Sequence, residues 1–442
     1  MRIFAVGSAI PRRRDGEPGV SAVHIVLHEL VTGLAQRGHE LTLQPLFNPH
    51  RIATALGPAE EAAARELSSR GIRLSPPIYP GEYAPRPRSG LSRVVGVAAG
   101  LAGRPDLREF YPAIACRDLV AERIRRSGAD VVLTVWSPEG LAATHGLGGV
   151  PRVAYHGDVD FAPTAARLRD RALFAQGPRP AAVRRWREAR WLARYRAAHL
   201  RLMAAVDVIA NVTAANADFY AATGHRRSVY VPNVWRDPAD DGAGSAEAPA
   251  SGAAGRPLKI IGHVGKLGQT GTSYGLRFLL QELMPELERV MVGLDYQVHV
   301  IGDGLPVEGL RPLLDHPRVV RRGFVPDLDA ELRSADAFLL LNNAGGYIAA
   351  YTRHVVAWAM GLCLVVHANS RRAIPEIVPL ENALVGATPR EVAEMLRRAV
   401  TDPDLNLRVR KGGRATFERG FTAAAVAVAL EGEMERACAV TS

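Results

Sequence analysis

The strongest constraint on this chain is a rhythm that occurs twice. Short β-branched and aliphatic runs alternate with helical stretches: "RIFAVGS" from Arg2, "ELTLQPLF" from Glu40, "DVVLTVWS" from Asp130, "RVAYHGD" from Arg152, "VDVIANVT" from Val206 and "SVYVPNV" from Ser228. Strands alternating with helices imply a parallel sheet covered on both faces. Between the first two runs Val23, Val26, Leu27, Leu30 and Leu34 recur at helical spacing, with Ser21 as candidate N-cap and Gly38 as the stop. The rhythm breaks at 237–257, "DPADDGAGSAEAPASGAAGRP", which has the composition of a linker or flexible loop. It restarts with "LKIIGHVG", "YQVHVIGDG", "AFLLLNN", "LCLVVHA" and "ALVGA". The fold class expected is α/β, with two doubly wound Rossmann-like domains facing each other across a cleft. The N-terminal domain spans 1–236 and the second 258–415; residues 416–442 form a helix placed to pack back on the first. With 442 residues and 48% apolar content, the chain can fill two cores.

Charge and cysteine usage narrow the function classes. The formal net charge is +10, yet only Lys259, Lys266 and Lys411 are lysines among the 55 basic residues. The remainder is arginine dispersed along the chain, which is a bias of composition rather than a nucleic-acid footprint. Cys116, Cys363 and Cys438 are odd in number and widely spread, arguing against a disulfide framework or a metal cluster and for a cytoplasmic setting. The N-terminal "MRIFAVGSAIPRRR" carries its charges after the apolar run, the reverse of a secretory signal. No stretch reaches the ~18 apolar residues that span a bilayer.

"GHVGKLGQTG" at 262–271 has the look of a phosphate-holding loop. It fails the spacing of a nucleotide-hydrolysing P-loop, because Lys266 directly follows Gly265 and Gly271 is followed by Thr272 and Ser273. Its place after the first strand of the second domain is where α/β sheets offer backbone N–H groups to a diphosphate. A plain surface turn is the other reading of the same residues. Further on, "LNNAGGYIAAYTRHVV" ends a strand at Asn342 and Asn343, passes through Gly345 and Gly346 and starts a helix near Thr352. Arg353 then sits in the first helical turn, where a cation opposes the helix dipole by ~0.3–1 kcal/mol unless an anion is bound. Either a phosphate is held there or Arg353 is one more exposed arginine.

These and neighbouring segments carry a resemblance. "VPNVW" at 231–235, "GKL" at 265–267, "VIGDG" at 300–304, "GFVPDLDAELRSADAFLL" at 323–340, "AWAMGLCLVVHA" at 357–368 and "PEIV" at 375–378 resemble the nucleotide-sugar domain of GT-B glycosyltransferases, family 4 in particular. "GVSAVHIVLHELVTGLAQRGHEL" is similar to that family's acceptor-side first helix. The resemblance implies a retaining enzyme that moves a sugar from a nucleoside-diphosphate sugar to a hydroxyl of a glycan, lipid-linked sugar or natural-product aglycone. It needs no protein nucleophile, metal or other cofactor. Lys266 matches a residue that in the family contacts the donor diphosphate. The family's second basic position falls at Thr272 to Tyr274, where no basic residue stands, and its paired glutamates fall on Ile348 and Val356. A divergent enzyme relying on Arg353, Asn342 or Asn343 and main-chain amides, a non-catalytic nucleotide-sugar-binding subunit, and a GT-B nucleotide-sugar epimerase all remain open at this point. Glu376, after Pro375 at an expected helix start, is the nearest acidic match.

The resemblance puts a histidine at the strand end near the donor sugar, which here is His156 in "VAYHGDVD". Its catalytic set is therefore His156, Arg353 and Lys266. The donor set adds Gly265, Asn342, Asn343, Gly345, Gly346 and Glu376, and the acceptor side Gly19, His156 and Asp158. Asp158 and Asp160 spell Asp-x-Asp, a divalent-metal pattern in the other large glycosyltransferase fold, but no metal is expected here. Residues 181–201 hold seven arginines with Trp186, Trp191 and Tyr195 interleaved, either a solvated helix or a peripheral contact with an anionic inner-membrane face. The apolar run 91–103 offers an acceptor or membrane loop.

Overall fold

Every strand expected from an apolar run forms, and the sequence alternation sets their direction. The computed structural model describes residues 1–13, 20–83, 106–174, 182–241, 256–349 and 352–441. Gly19, the 91–103 run and residues 242–255 of the 237–257 segment lie outside them. The first sheet contains β1 (Arg2–Gly7), β2 (Glu40–Pro45), β3 (Arg73–Leu74), β4 (Val131–Val135), β5 (Arg152–His156), β6 (Val208–Asn211) and β7 (Ser228–Tyr230), in the order β3-β2-β1-β4-β5-β6-β7. The second contains β8 (Leu258–Val264), β9 (Tyr296–Ile301), β10 (Val319–Gly323), β11 (Ala337–Leu340), β12 (Leu364–His367) and β13 (Leu384–Gly386), in the order β10-β9-β8-β11-β12-β13. Pairing is parallel throughout, with β1 flanked by β2 and β4, and β8 by β9 and β11.

Both sheets therefore reverse their winding beside their first strand, and the crevice beyond such a reversal is where open α/β sheets bind ligands. In the first sheet it lies beyond Gly7 and Val135, in the second beyond Val264 and Leu340.

The layers pack as the patterns require. The helix Ala22–Gln36 buries Val26, Leu27, Leu30 and Leu34 and starts after Ser21, whose N–H donates to His24 Nδ1 at 3.2 Å. A Cβ on Gly7 would lie 2.5 Å from Leu27 Cδ2, so the end of β1 meets this helix without a side chain between them. In the second domain Trp358 is fully buried, donates its indole N–H to Asn382 O at 2.9 Å and meets Phe421 edge-on at 5.3 Å. The last helix, Ala423–Thr441, returns to the first domain, where Arg37 pairs with Glu431 and Arg227 with Glu433. Asp237, opening the segment between the sheets, is clamped by Arg414 at 2.7 Å.

Two strands lack a counterpart in the sequence reading. β3 is two residues long, and β10, "VVRRG", is an edge strand whose Arg321 and Arg322 are exposed. Among the described residues no helix is long and apolar enough to cross a membrane.

Candidate active site

The turn after β8 is built by two glycines. Gly265 has φ +111° and Gly302 φ +136°, conformations that side chains disfavour. A Cβ on Gly302 would come 2.0 Å from Gly265 O, so the ends of β8 and β9 approach backbone to backbone. Gly265 N–H donates to Ile301 O at 2.9 Å and Leu267 N–H to Asp303 O at 3.0 Å, which fixes the turn that displays Lys266 on the surface. The opposite side of Gly265 faces Arg353: a Cβ there would lie 2.5 Å from Arg353 Nη2. Beneath them His263 donates its Nε2–H to Gly265 O at 3.1 Å. Burial first, and the Arg353 charge second, push the His263 pKa well below the ordinary imidazole value. The ring stays neutral, and the positive charge above it belongs to Arg353 and Lys266.

Arg353 occupies the first turn of the helix Thr352–Ala359. The preceding loop is held by Asn343, which accepts from Ala349 N–H at 3.1 Å and donates to Ala349 O at 3.2 Å. Asn343 is therefore engaged in closing the loop rather than offered to a donor. Gly345 and Gly346 serve close packing. A Cβ on Gly345 would meet the Tyr274 ring at 2.3 Å, and one on Gly346 would meet Arg169 Nη2 at 2.3 Å. Asn342 packs under the helix Thr270–Arg277, where Gly275 touches its backbone. Asn342 Nδ2 and Thr272 Oγ1 are buried without a hydrogen-bond partner among the described residues. Such groups cost about 1–3 kcal/mol each unless a ligand or water completes them. Ile348 and Val356, in the places of the family's glutamates, pack against the apolar core.

Across the cleft, β5 ends at His156. Burial pushes its pKa down to about 4, with the Asp160 carboxylate partly opposing. A hydrogen-bonded chain runs back from its ring. His156 Nε2 meets Tyr220 Oη at 3.1 Å, and Tyr220 Oη meets His199 Nε2 at 2.6 Å. His199 Nδ1 meets Asp160 Oδ2 at 3.2 Å and Tyr111 Oη at 2.9 Å, and the Tyr111 O–H donates to Asp160 Oδ2 at 3.0 Å. Burial raises the Asp160 carboxyl, but the charge and hydrogen bond of His199 outweigh it and hold the group below its usual value. An ionised Asp160 can only accept, so His199 Nδ1 carries a proton. The Tyr220 hydroxyl thus joins the two imidazoles, and the positions of their ring protons set the direction of donation along the chain.

The two halves meet in a cleft of about 370 Å³. His156, Asp158 and Asp160 line it from the first domain, and Gln269, Thr352 and Arg353 from the second. Tyr347 O–H donates to Asp158 Oδ2 at 3.0 Å, and Arg167 Nε–H donates to Thr270 Oγ1 at 2.7 Å, tying the domains together on either side. Loss of water around Asp158, then the nearby Asp160 charge, pushes its carboxyl up to about 6 against the pull of Tyr347. Asp158 is an exposed residue at the cleft, so its desolvation is less severe than in a dry core. Trp136, immediately after β4, forms a wall of the cleft in a left-handed backbone (φ +45°), and Gly157 leaves room for its ring. Strain of this kind, costing ~1–3 kcal/mol, concentrates at ligand sites.

His156, Asp158 and Arg353 thus share one cleft, with Gly265 against Arg353. Glu376 requires a correction: no helix starts at Pro375, which lies in a turn after the short 3₁₀ helix Ala368–Arg372. Its carboxylate accepts from Tyr230 O–H at 2.9 Å, a contact between the domains outside the cleft lining. The sequence reading missed Trp136, Gln269 and the Tyr220–His199 pair. Trp136 carried a usable signal, since it directly follows a central strand beside the winding reversal.

Residues 258–402 match the family model described as glycosyl transferases group 1. No curated protein matches the chain. Among solved structures, α,α-trehalose 6-phosphate synthase from Burkholderia multivorans is 14% identical with a TM-score of 0.59, each chain covered to 100%. Sucrose-phosphate synthase from Thermosynechococcus elongatus has the same identity, coverage and TM-score, 14%, 100% and 0.59. HepE of Anabaena, solved in complex with UDP and glucose, is 13% identical with a TM-score of 0.54, covering 98% of this chain and 99% of its own. At these identities the likeness is one of fold. The chain has the GT-B fold, two parallel-sheet α/β domains about a cleft, and its second domain matches the group 1 glycosyl transferases.

Proposed function

We propose that the protein transfers a sugar from a nucleoside-diphosphate sugar to a hydroxyl acceptor in the cleft between its domains. The observation that carries this reading is the convergence of the Gly265–Lys266 turn and Arg353 at the winding reversal of the second sheet, opposite His156 and Asp158. The turn and the two cations supply charge where a diphosphate leaves, and such stabilisation of developing negative charge is commonly the largest catalytic contribution. A diphosphate at Arg353 also turns its adverse position in the helix's first turn into a favourable one. HepE, which shares the fold, was solved with UDP and glucose, in keeping with a nucleotide-sugar donor.

Transfer proceeds on one face of the sugar with retention, the leaving phosphate taking the acceptor proton, as the resemblance to family 4 implies. His156, neutral across physiological pH, faces the sugar as a hydrogen-bonding group. Ile348 and Val356 offer no carboxylates to the donor, so Arg353, Asn342 and main-chain amides take over their holding role. No metal enters this scheme, because Tyr347 engages Asp158, and His199 and Tyr111 engage Asp160. The exposed Val183 and Trp186 on the arginine-rich helix Ala182–Met203 fit a peripheral contact with an anionic membrane. Co-sedimentation with anionic but not neutral vesicles tests that contact, and equal recovery with both contradicts it.

The test of the reaction is release of nucleoside diphosphate from a panel of UDP-, GDP- and dTDP-sugars with mixed hydroxyl acceptors, the product anomer being read by NMR. Acceptor-dependent release with retained configuration is expected. The missing glutamates favour one other reading, a binding subunit without catalysis; it predicts tight nucleotide binding and no release with any acceptor.

A further inference from the structure

Beside the cleft, and sharing the Pro138 wall with it, lies a second cavity of about 240 Å³. This is below the ~300–1,000 Å³ typical of drug-sized ligands and suits a single ring. Phe110 and Tyr195 line it and stack on each other at 5.1 Å and 8°. Trp191 packs against both, at 5.7 and 5.3 Å. Glu139 also lines this cavity, from the short helix Pro138–Ala143 that begins just after Trp136.

Glu139 is the group the cleft chemistry does not use. Its carboxylate meets its own backbone N–H, and no cation among the described residues pairs with it. Arg194, whose guanidinium lies 5.9 Å from the Phe110 ring, is committed to Glu109. The titratable groups facing Glu139 are Asp160 beyond β5, Tyr83, Tyr111, Tyr195 and His50. Burial, with Asp160 adding repulsion, pushes the Glu139 carboxyl up to about 7. An uncompensated carboxylate in a cavity lined by aromatic side chains, with a second carboxylate behind it, lacks a cation.

We propose that this pocket seats the acceptor and recognises a protonated amine on it, the ammonium on Glu139 and the ring against Tyr195 and Phe110, as in an amino sugar or aminocyclitol. The inference rests on the cleft being a sugar-transfer site: a ring seated here is one proline wall from His156 and Arg353. Because the ammonium needs the carboxylate ionised, its binding displaces the proton that Glu139 shares at neutral pH.

Binding of glucosamine, N-acetylglucosamine and glucose is measured by saturation-transfer NMR and calorimetry on the full chain, alongside UDP and GDP on the same samples. Glucosamine is expected to bind at least about tenfold tighter than the two neutral sugars, and Glu139→Gln to erase that difference. In the unmutated protein at pH 7, buffers of different ionisation heat should reveal release of up to about half a proton per glucosamine bound. Equal affinities for the three sugars, a preference that survives Glu139→Gln, or no proton release would overturn the assignment. Nucleotide binding without amine preference defeats the pocket alone. Amine preference with neither nucleotide binding nor nucleotide-sugar turnover upholds the pocket and defeats the transfer reading.

Discussion

Gly265 and Arg353, on facing elements of the second domain, are packed so closely that a Cβ on the glycine would lie 2.5 Å from the guanidinium. The turn can therefore present its backbone and the arginine to one ligand. In Gly265→Ala the methyl meets the movable end of a side chain, so Arg353 swings away and the fold survives with ~1–3 kcal/mol of backbone strain. UDP affinity is expected to fall at least about tenfold while far-UV circular dichroism is unchanged. Unaltered affinity in a folded Gly265→Ala protein would show that Arg353 takes no part.

Gly302→Ala is expected to be far worse for folding, because its methyl would lie 2.0 Å from a backbone oxygen, Gly265 O, that no rotamer change can clear. Thermal unfolding should show a clearly larger loss for Gly302→Ala than for Gly265→Ala. The reverse order would mean that the β8 and β9 turns are not locked together.

The Tyr220 hydroxyl bridges two buried imidazoles, His156 at 3.1 Å and His199 at 2.6 Å. Tyr220→Phe keeps the ring and leaves both nitrogens short of a partner, at about 1–3 kcal/mol. Urea unfolding should register that loss together with reduced turnover. A neutral substitution would show that water completes both rings without the tyrosine.

His156 links stability to pH with a definite sign. Its pKa is about 4 in the folded protein against 6.5 when unexposed to the fold, so the unfolded chain binds the extra proton between these values. The contribution is whole above pH 6.5 and is lost as pH falls toward 4, about 3 kcal/mol in all. His156→Gln should flatten that part of the stability curve, read from denaturation midpoints at pH 4.5 and 7.5. An unchanged slope would mean that the buried imidazole is not the source.

The fold was legible because its central strands are buried on both faces and had to be written as apolar runs. β3 and β10 escaped because edge strands need no such run: one has two residues, the other ends in exposed arginines. The glycine turn at Gly265 was legible from its place after the first strand of the second sheet. Asp158 and Tyr347 were not legible as partners, being 189 residues apart and brought together only by the facing of the domains. Asn343, Gly345 and Gly346 stood out as loop residues, yet the sequence could not reveal that they brace the loop and allow close packing. Glu376 was read as a helix start from its proline, while its partner Tyr230 lies at the edge of the other sheet.

On the proposed function, the Gly265–Lys266 turn holds the diphosphate of a nucleotide sugar. Calorimetry of the protein and of Lys266→Ala against UDP, GDP, dTDP, their sugar conjugates and the free nucleosides, with no metal added, tests this. A donor site of this kind predicts selective binding of one nucleotide series, weakened about tenfold or more by Lys266→Ala for diphosphates and little for nucleosides. Equal affinities in both proteins, or no binding across the panel, would contradict it.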